Sequence, residues 1–259
     1  MFSPLQLRPR MLLSHVSAGF SRWLAEYVTP FPSMLDTYGS AVVVTAVRID
    51  YAVPCPGFSD APWLTVHVGL RIDPSGKRMH VEIDCTADGR PVAHVSTTLR
   101  VLTVADGDSL SASPGVLHPE LRKAFTPDET VDIPKPATPS TEGPTLVLPP
   151  REWRTFISRS HAELADQWSF IEMIELATQA RDRLFTENLH APLPPHQVIG
   201  TPTRTLQAAF HRPMFVYDPC TITTSAHRTP DGLHFHHHIG PPDAPQPHLT
   251  VWETLDSTA

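Results

Sequence analysis

Two glutamates and a glutamine fall on one stripe of a helix predicted in the second half of the chain. Glu172, Glu175 and Gln179 are spaced three and four residues apart, which places their side chains on one helix face. Neither glutamate is followed at that spacing by a lysine or arginine that would neutralise it. A half-buried carboxylate can activate water, attack a carbonyl or, when protonated, donate a proton. The stripe is therefore a candidate catalytic centre.

A histidine and an aspartate precede this stripe. His161 lies 14 residues before Glu175, and Asp166 lies between them. Dehydration requires a neutral histidine and a protonated carboxylic acid, whereas thioester hydrolysis needs a carboxylate and a carbonyl polarised by a helix N-terminus. The same region also fits structural roles, because Ser169 and Glu172 match a capping box and Asp166 a helix N-cap. Both interpretations stay open at this point.

The chain also contains a weak internal repeat. Four residues recur 146 positions later: Arg8, Ser14, His15 and Glu26 return as Arg154, Ser160, His161 and Glu172. Each set accompanies a helical pattern followed by four strand-like runs, which predicts two fused copies of one small fold. At the same offset the first copy has Thr29 in the place of Glu175 and no acid in the place of Asp166. We therefore expect the second copy to be catalytic and the first to shape the pocket.

The apolar periodicity places these residues on defined elements. Helices are expected over 14–28 and 166–187, with short strands before them at 4–9 and 152–158. The remaining strands are expected at 40–53, 63–72, 78–85 and 91–104, and at 200–212, 214–226, 231–239 and 247–255. Repeated prolines predict a linker at 126–150 between domains at 1–125 and 151–259. The fold class is α+β, with each copy packing one long central helix against a curved antiparallel sheet.

This order of elements resembles the hotdog fold, whose members include acyl-thioester hydrolases and 3-hydroxyacyl dehydratases. The segment from Ser14 to Ser17 resembles the thioesterase motif Gly-His-Val-Asn-Asn, although the acid that the family carries four residues before the histidine is Met11 here. His161 and Glu175, with Gln179 ending Glu-Leu-Ala-Thr-Gln, resemble the spacing of the dehydratases. The resemblance implies a tandem, or double, hotdog protein in which the first copy is degenerate.

The resemblance further implies a substrate and the residues that bind it. The substrate would be an acyl group carried by coenzyme A or by acyl carrier protein, and no cofactor would be needed. Trp168, Gln179 and His15 are the candidate pocket residues, and Arg212 is a candidate for a phosphate of the carrier arm. Thioester hydrolysis is the leading expectation. The alternatives are dehydration or hydration by His161 and Glu175, and a degenerate protein that binds or cyclises an acyl or polyketide chain.

Composition excludes several other classes of protein. The net charge of −7 and the lack of a basic cluster argue against nucleic-acid binding. Three cysteines without CxxC spacing predict a reducing compartment, and a start without a leader-like pattern predicts a cytoplasmic protein. No apolar run is long enough to suggest a membrane span. The sequence leaves open whether two fused pairs associate as a homodimer through exposed sheet edges.

A histidine-rich strand is the remaining feature that could bind a ligand. His234, His236 and His238 alternate along one expected strand face. Alternate positions of a straight strand spread these side chains over roughly 13 Å, too far for a single zinc ion. We therefore expect no metal site here.

Overall fold

A computed structural model describes residues 6–56, 59, 63–106, 111–133, 145–163, 166–186, 198, 200–230 and 232–256. The middle of the expected proline-rich linker, at 134–144, lies outside the described residues. The helices are α1 (Pro9–Tyr27), α2 (Phe31–Asp36), α3 (Pro119–Arg122) and α4 (Phe170–Thr186). The strands are β1 (Ser40–Tyr51), β2 (Thr65–Ile72), β3 (Arg78–Ala87), β4 (Arg90–Asp106), β5 (Ser111–Pro114), β6 (Thr145–Phe156), β7 (Thr203–Phe210), β8 (Pro219–Thr229), β9 (Gly232–Gly240) and β10 (Leu249–Leu255).

One antiparallel sheet joins all ten strands. Its order is β2-β3-β4-β1-β7-β10-β9-β8-β6, with β5 added to β4. Followed outward from β1, the first half therefore runs first, fourth, third and second strand. Followed outward from β7, the second half repeats this order as β7, β10, β9 and β8. The halves meet where residues 46–50 of β1 pair with residues 205–209 of β7. The expected α+β class with a large antiparallel sheet is confirmed.

The two long helices bury apolar faces against this sheet and contact each other. Both show the spacing of an amphipathic helix. The buried residues of α1 are Leu12, Leu13, Val16, Phe20 and Leu24, and those of α4 are Met173, Ile174, Leu176, Ala177, Ala180, Arg181, Leu184 and Phe185. Arg181 is the only charged residue in the two sets. None of the described helices is long and apolar enough to cross a membrane.

The turn from Asp73 to Gly76 joins β2 to β3. Asp73 Oδ1 accepts hydrogen bonds from the backbone N–H groups of Lys77 and Arg78 at 2.8 and 3.2 Å. Gly76 has a φ of +72°, a left-handed conformation that side chains disfavour. Burial opposes ionisation of Asp73, but these hydrogen bonds outweigh it and lower the pKa of its carboxyl. The turn is therefore held by both its aspartate and its glycine.

The start of α1 differs from the sequence-based prediction. The helix begins at Pro9 rather than at residue 14, because proline is well suited to the first helical position. The strand expected at 4–9 is therefore wrong in its last residue, and His15 lies in the second turn of α1 rather than at the start of the helix. In the second half β6 begins at Thr145, six residues before the expected start of the second domain.

The register of the internal repeat is also corrected. Helix α4 begins 161 residues after α1, not 146, so the four recurring identities do not occupy equivalent positions. Ser160 and His161 lie in a 3-10 helix before α4, whereas His15 lies within α1. Counted from the helix starts, the position equivalent to Glu175 is Ser14 rather than Thr29. The repeat is therefore one of element order, and the four matched residues do not give its register.

Candidate active site

The acidic stripe of α4 faces away from the sheet and meets the start of α1. Glu172 forms an ion pair with Arg10, with 2.6 Å between Arg10 Nη2 and Glu172 Oε1. The glutamate side chain is 18% exposed and the arginine 55% exposed. No lysine or arginine of α4 follows Glu172 at helical spacing, and the cation that pairs with it is instead Arg10 of α1.

Glu175 lies half-buried one turn further along α4. Burial raises the pKa of its carboxyl above the ordinary value, and the nearby carboxylates of Glu172 and Glu253 act in the same direction. Arg8 and Arg10 oppose this shift through their positive charges. Glu175 is therefore a carboxyl with a perturbed pKa at the junction of two helices, which is the kind of group that acid–base catalysis uses.

The two helix starts differ in their capping. Helix α4 is capped by Ser169, whose Oγ accepts a hydrogen bond from the N–H of Ile171 at 3.3 Å. No side chain caps the start of α1, and its first turn carries no acidic residue. The positive end of the α1 dipole is therefore not neutralised locally. Because Arg10, in the first turn of α1, pairs with Glu172, this helix start lies about one helical turn from Glu175 along α4.

A buried charged network lies on the sheet-facing side of α4, and sequence reasoning did not find it. Glu253 on β10 is 1% exposed and pairs with Arg181, with 3.0 Å between Oε2 and Nη1. Thr178 Oγ1 donates to the other carboxylate oxygen at 2.9 Å. Burial alone would raise the pKa of Glu253, but Arg181, His237 and Thr178 together lower it to about 2. The carboxylate is thus held ionised in the core.

His237 extends this network towards β8. Its Nδ1 lies 2.9 Å from Thr224 Oγ1, and its Nε2 lies 3.6 Å from Glu253 Oε2. The second distance exceeds that of a hydrogen bond, and Nε2 has no other partner among the described residues. Sequence signals for the network existed: His237 faces opposite to His236 and His238, and Glu253 is the only charged residue of β10.

Polar groups of the first half approach the same place. Tyr51, at the end of β1, donates from its hydroxyl to the carbonyl oxygen of Leu7 at 2.9 Å. Burial raises the pKa of the Tyr51 hydroxyl, and the charges of Glu253 and Glu175 contribute to the shift. Gln6 accepts a hydrogen bond from the backbone N–H of Thr203 at 2.7 Å. The region between the start of α1, the end of β1, α4 and β10 is called the junction below, and both halves contribute to it.

The remaining predicted catalytic residues lie apart from Glu175. The His161 ring accepts the backbone N–H of Ser158 at 3.2 Å through Nδ1, a capping arrangement. His161 is not among the groups whose charge acts on Glu175. Asp166 is 67% exposed, lies 3.5 Å from Arg159 and does not cap α4, which begins four residues later. No contact of the described residues joins His161 or Asp166 to the acidic stripe.

The predicted binding residues are dispersed as well. Trp168 is buried in the core and packs edge-on against Phe210, with ring centroids 6.3 Å apart. Gln179 and Arg212 are exposed, and His15 is half-buried within α1. Of the eight predicted site residues, only Glu172 and Glu175 are brought together with the charged groups of the junction.

The histidine-rich strand packs against a tryptophan on the outer face of the sheet. The His236 ring stacks on the Trp252 ring with centroids 5.2 Å apart. The His238 ring lies edge-on to the His236 ring, with centroids 4.4 Å apart. Burial and the charge of His238 lower the pKa of His236 to about 4. Within the described residues no group of three or more histidine, cysteine, aspartate or glutamate side chains is arranged to hold a metal ion.

The fold and the junction together define an α+β protein of the hotdog type. The chain matches no protein-family model, and a search of curated proteins finds no similar sequence. Solved structures are similar in fold over nearly the whole chain. A Lactobacillus plantarum protein assigned as an oleoyl thioesterase has a TM-score of 0.71 at 12% identity, covering 97% of this chain and 90% of that protein.

Two further structures show the same likeness. An acyl-ACP thioesterase from Bacteroides thetaiotaomicron has a TM-score of 0.65 at 8% identity, covering 99% of this chain and 93% of its own. The 12:0-ACP thioesterase from Umbellularia californica has a TM-score of 0.63 at 10% identity, covering 98% and 89%. The expected hotdog fold is confirmed. At these identities the likeness concerns the fold.

Proposed function

We propose that this protein is an acyl-thioester hydrolase made of two tandem hotdog domains, the first at residues 1–125 and the second beginning with β6 at Thr145 rather than at residue 151. The repeated strand order in the two halves of the sheet supports the tandem arrangement. The fold is shared, over nearly the whole chain, with proteins named as thioesterases of acyl-ACP or oleoyl substrates. The substrate proposed here is accordingly an acyl group on acyl carrier protein or coenzyme A.

The observation that carries this proposal is the position of Glu175. It is a half-buried carboxyl with a raised pKa beside an uncapped helix start, and two exposed arginines lie close to it. A carboxylate can activate water, and the amino end of a helix can stabilise an oxyanion. Arg8 and Arg10 would bind a phosphate of the carrier arm. These are the groups that thioester hydrolysis needs.

The proposed reaction uses Glu175 twice. Its carboxylate takes a proton from water while the water oxygen attacks the thioester carbonyl, and the α1 start stabilises the resulting oxyanion. The carbon–sulfur bond then breaks, and the protonated Glu175 returns its proton to the leaving thiolate. The products are a carboxylic acid and a free thiol. Dehydration is less well supported, because His161 Nδ1 accepts the backbone N–H of Ser158 and no hydrogen bond of the described residues joins His161 to Glu175.

The test is a parallel assay of thiol release and enoyl absorbance with acyl-CoA and 3-hydroxyacyl-CoA substrates. Glu175→Gln should lower kcat for thiol release by about 100-fold or more. The matched control is Glu26→Gln, an acid of α1 that pairs on the surface with Arg22, and its kcat should be unchanged. Enoyl formation without thiol release would indicate a dehydratase. Silence in both channels would indicate a protein that binds or cyclises its substrate.

A second comparison tests the two arginines. Arg8→Gln combined with Arg10→Gln should raise KM for acyl-CoA while leaving KM for the matching acyl-N-acetylcysteamine unchanged, because the smaller thioester carries no phosphate. Equal losses with both substrates would exclude phosphate binding by these side chains.

A further inference from the structure

A buried tyrosine holds the chain just before α1. Tyr51, the last residue of β1, is 6% exposed, and its hydroxyl donates to the carbonyl oxygen of Leu7 at 2.9 Å. Leu7 is 0% exposed and lies two residues before the helix begins. In the ladder that joins the two halves Asp50 pairs with Thr205, so Tyr51 lies beside the first residues of β7. The phenol therefore fixes the entry to α1 at the boundary between the halves, because a buried hydroxyl keeps the partner that compensates its burial.

Gln6 ties the same segment to the second half of the sheet. It is 5% exposed, its Oε1 accepts the backbone N–H of Thr203 at 2.7 Å, and its side chain also hydrogen-bonds the Tyr51 hydroxyl. Thr203 Oγ1 in turn accepts from Arg181 Nη1 at 3.3 Å, and Arg181 pairs with Glu253 at 3.0 Å. A continuous chain of buried polar contacts thus runs from β10 through α4 and β7 to the segment before α1, and such networks are rigid.

The segment fixed in this way leads directly into the first turn of α1. Arg10 in that turn pairs with Glu172 at 2.6 Å, and Glu175 lies about one turn further along α4. The Arg10 side chain is 55% exposed, and an ion pair as exposed as this one does little to hold two helices in place. The buried hydrogen bonds of Tyr51 and Gln6, unlike this pair, fix the helix start with respect to the sheet.

We propose that Tyr51 is a positioning residue of the candidate active site, which holds the start of α1, and with it Arg10, against the acidic stripe of α4. This inference deepens the proposed hydrolase function and rests on it. The hydroxyl donates to the backbone of Leu7, so its part is to maintain the geometry of the site rather than to transfer a proton.

The charges around Glu175 make a displacement of the helix start measurable. Burial raises the pKa of its carboxyl, and so do the charges of Glu172 on α4 and Glu253 on β10. Arg8 and Arg10, at the start of α1, lower it. If the start of α1 moves away, only the lowering charges leave, and the pKa of Glu175 should rise further. A hydroxyl that served stability alone would lower the Tm of the protein without moving this pKa.

Tyr51→Phe tests this role, because it keeps the ring and removes only the hydroxyl. It should lower kcat for thiol release from acyl-CoA by about tenfold and move the pH midpoint of kcat upward by about half a unit or more. Tyr38→Phe is the matched control, because it removes a hydroxyl near the other end of β1, where the Tyr38 ring packs against His118. Both quantities should stay as they are in the unmodified protein.

A carbon-13 NMR titration of the glutamate carboxyls measures the same shift without catalysis, with Glu175→Gln identifying the signal. A higher Glu175 pKa in Tyr51→Phe, with no thiol release by the unmodified protein, would contradict the hydrolase and leave the positioning role in place. An unchanged Glu175 pKa in Tyr51→Phe would overturn the positioning role, whatever the loss of activity or stability. If Tyr51→Phe does not fold, Gln6→Met releases the same segment from Thr203 and carries the same expectations.

Discussion

Replacement of Arg181 by methionine should be strongly destabilising. Methionine retains an unbranched apolar chain in place of the aliphatic part of the arginine, but the guanidinium that pairs with Glu253 at 3.0 Å is removed. The glutamate is 1% exposed, so its charge would remain in the core with only Thr178 as a close donor. Removing one partner of a buried ion pair costs about 3–5 kcal/mol, because the other charge is left uncompensated. For a chain of this size the corresponding fall in Tm is about 10 °C.

Thermal and urea unfolding, followed by circular dichroism, measure this loss. Glu26→Gln is a suitable comparison, because its pair with Arg22 is exposed to solvent and should contribute little to stability. The double variant Arg181→Met with Glu253→Gln should lose less than the sum of the two single variants, since neither charge is then left alone. A loss for Arg181→Met as small as that for Glu26→Gln would refute the view that this pair supports the junction.

The same pair predicts a specific sensitivity to acid. The pKa of Glu253 is lowered from 4.5 to about 2, a difference that corresponds to about 3 kcal/mol. Because the folded pKa lies below the unfolded one, this stabilisation is complete above about pH 4.5 and is lost as the pH falls towards 2. Glu253→Gln should be less stable than the unmodified protein at pH 7 and should approach it at pH 2. A constant difference across this range would contradict the assignment.

Three other perturbations follow from single contacts. Gly76→Ala should cost about 1 kcal/mol or more in urea unfolding, because Gly76 has a φ of +72°; Gly69→Ala, in open space on β2, should cost far less. Thr224→Val should cost about 1–3 kcal/mol in the same measurement, because it removes the partner of the buried His237 Nδ1. The rate of thioester hydrolysis should rise with pH through a midpoint above the ordinary glutamate pKa, since the reaction needs ionised Glu175 and burial raises its pKa; a rate that falls over that range would exclude Glu175 as the base.

Much of the fold could be predicted from apolar periodicity and turn residues. Asp88 and Gly89, for example, are an Asp-Gly pair typical of a hairpin turn, and they join β3 to β4 with φ values of +49° and +75°. The start of α1 was missed because residue 9 was assigned to a short strand expected at 4–9 and residues 10–13 were assigned to no element. Short apolar runs do not distinguish a helix from a strand. The register of the repeat was missed because a few chance identities outweighed the order of elements.

The site could be predicted only where one helix determined it. Glu172 and Glu175 share a stripe through local geometry, so their spacing was informative. The network of Arg181, Glu253 and His237 joins α4, β10 and β9, and no local pattern fixes which strand residue meets a given helix residue. Two signs were nevertheless visible: an arginine on the apolar face of α4 and a glutamate in an otherwise uncharged strand both predict a buried partner.

The two halves contribute different chemistry to the junction. The buried face of α1 is entirely apolar, whereas that of α4 carries Arg181, which reaches Glu253 on β10. On its outer side α4 presents Glu175, while the uncapped start of α1 supplies the nearby positive charges. The first half thus provides the two cations that act on Glu175 and an uncapped helix start, and the second half provides Glu172, Glu175 and Glu253. A site at the junction therefore needs groups from both halves of the chain.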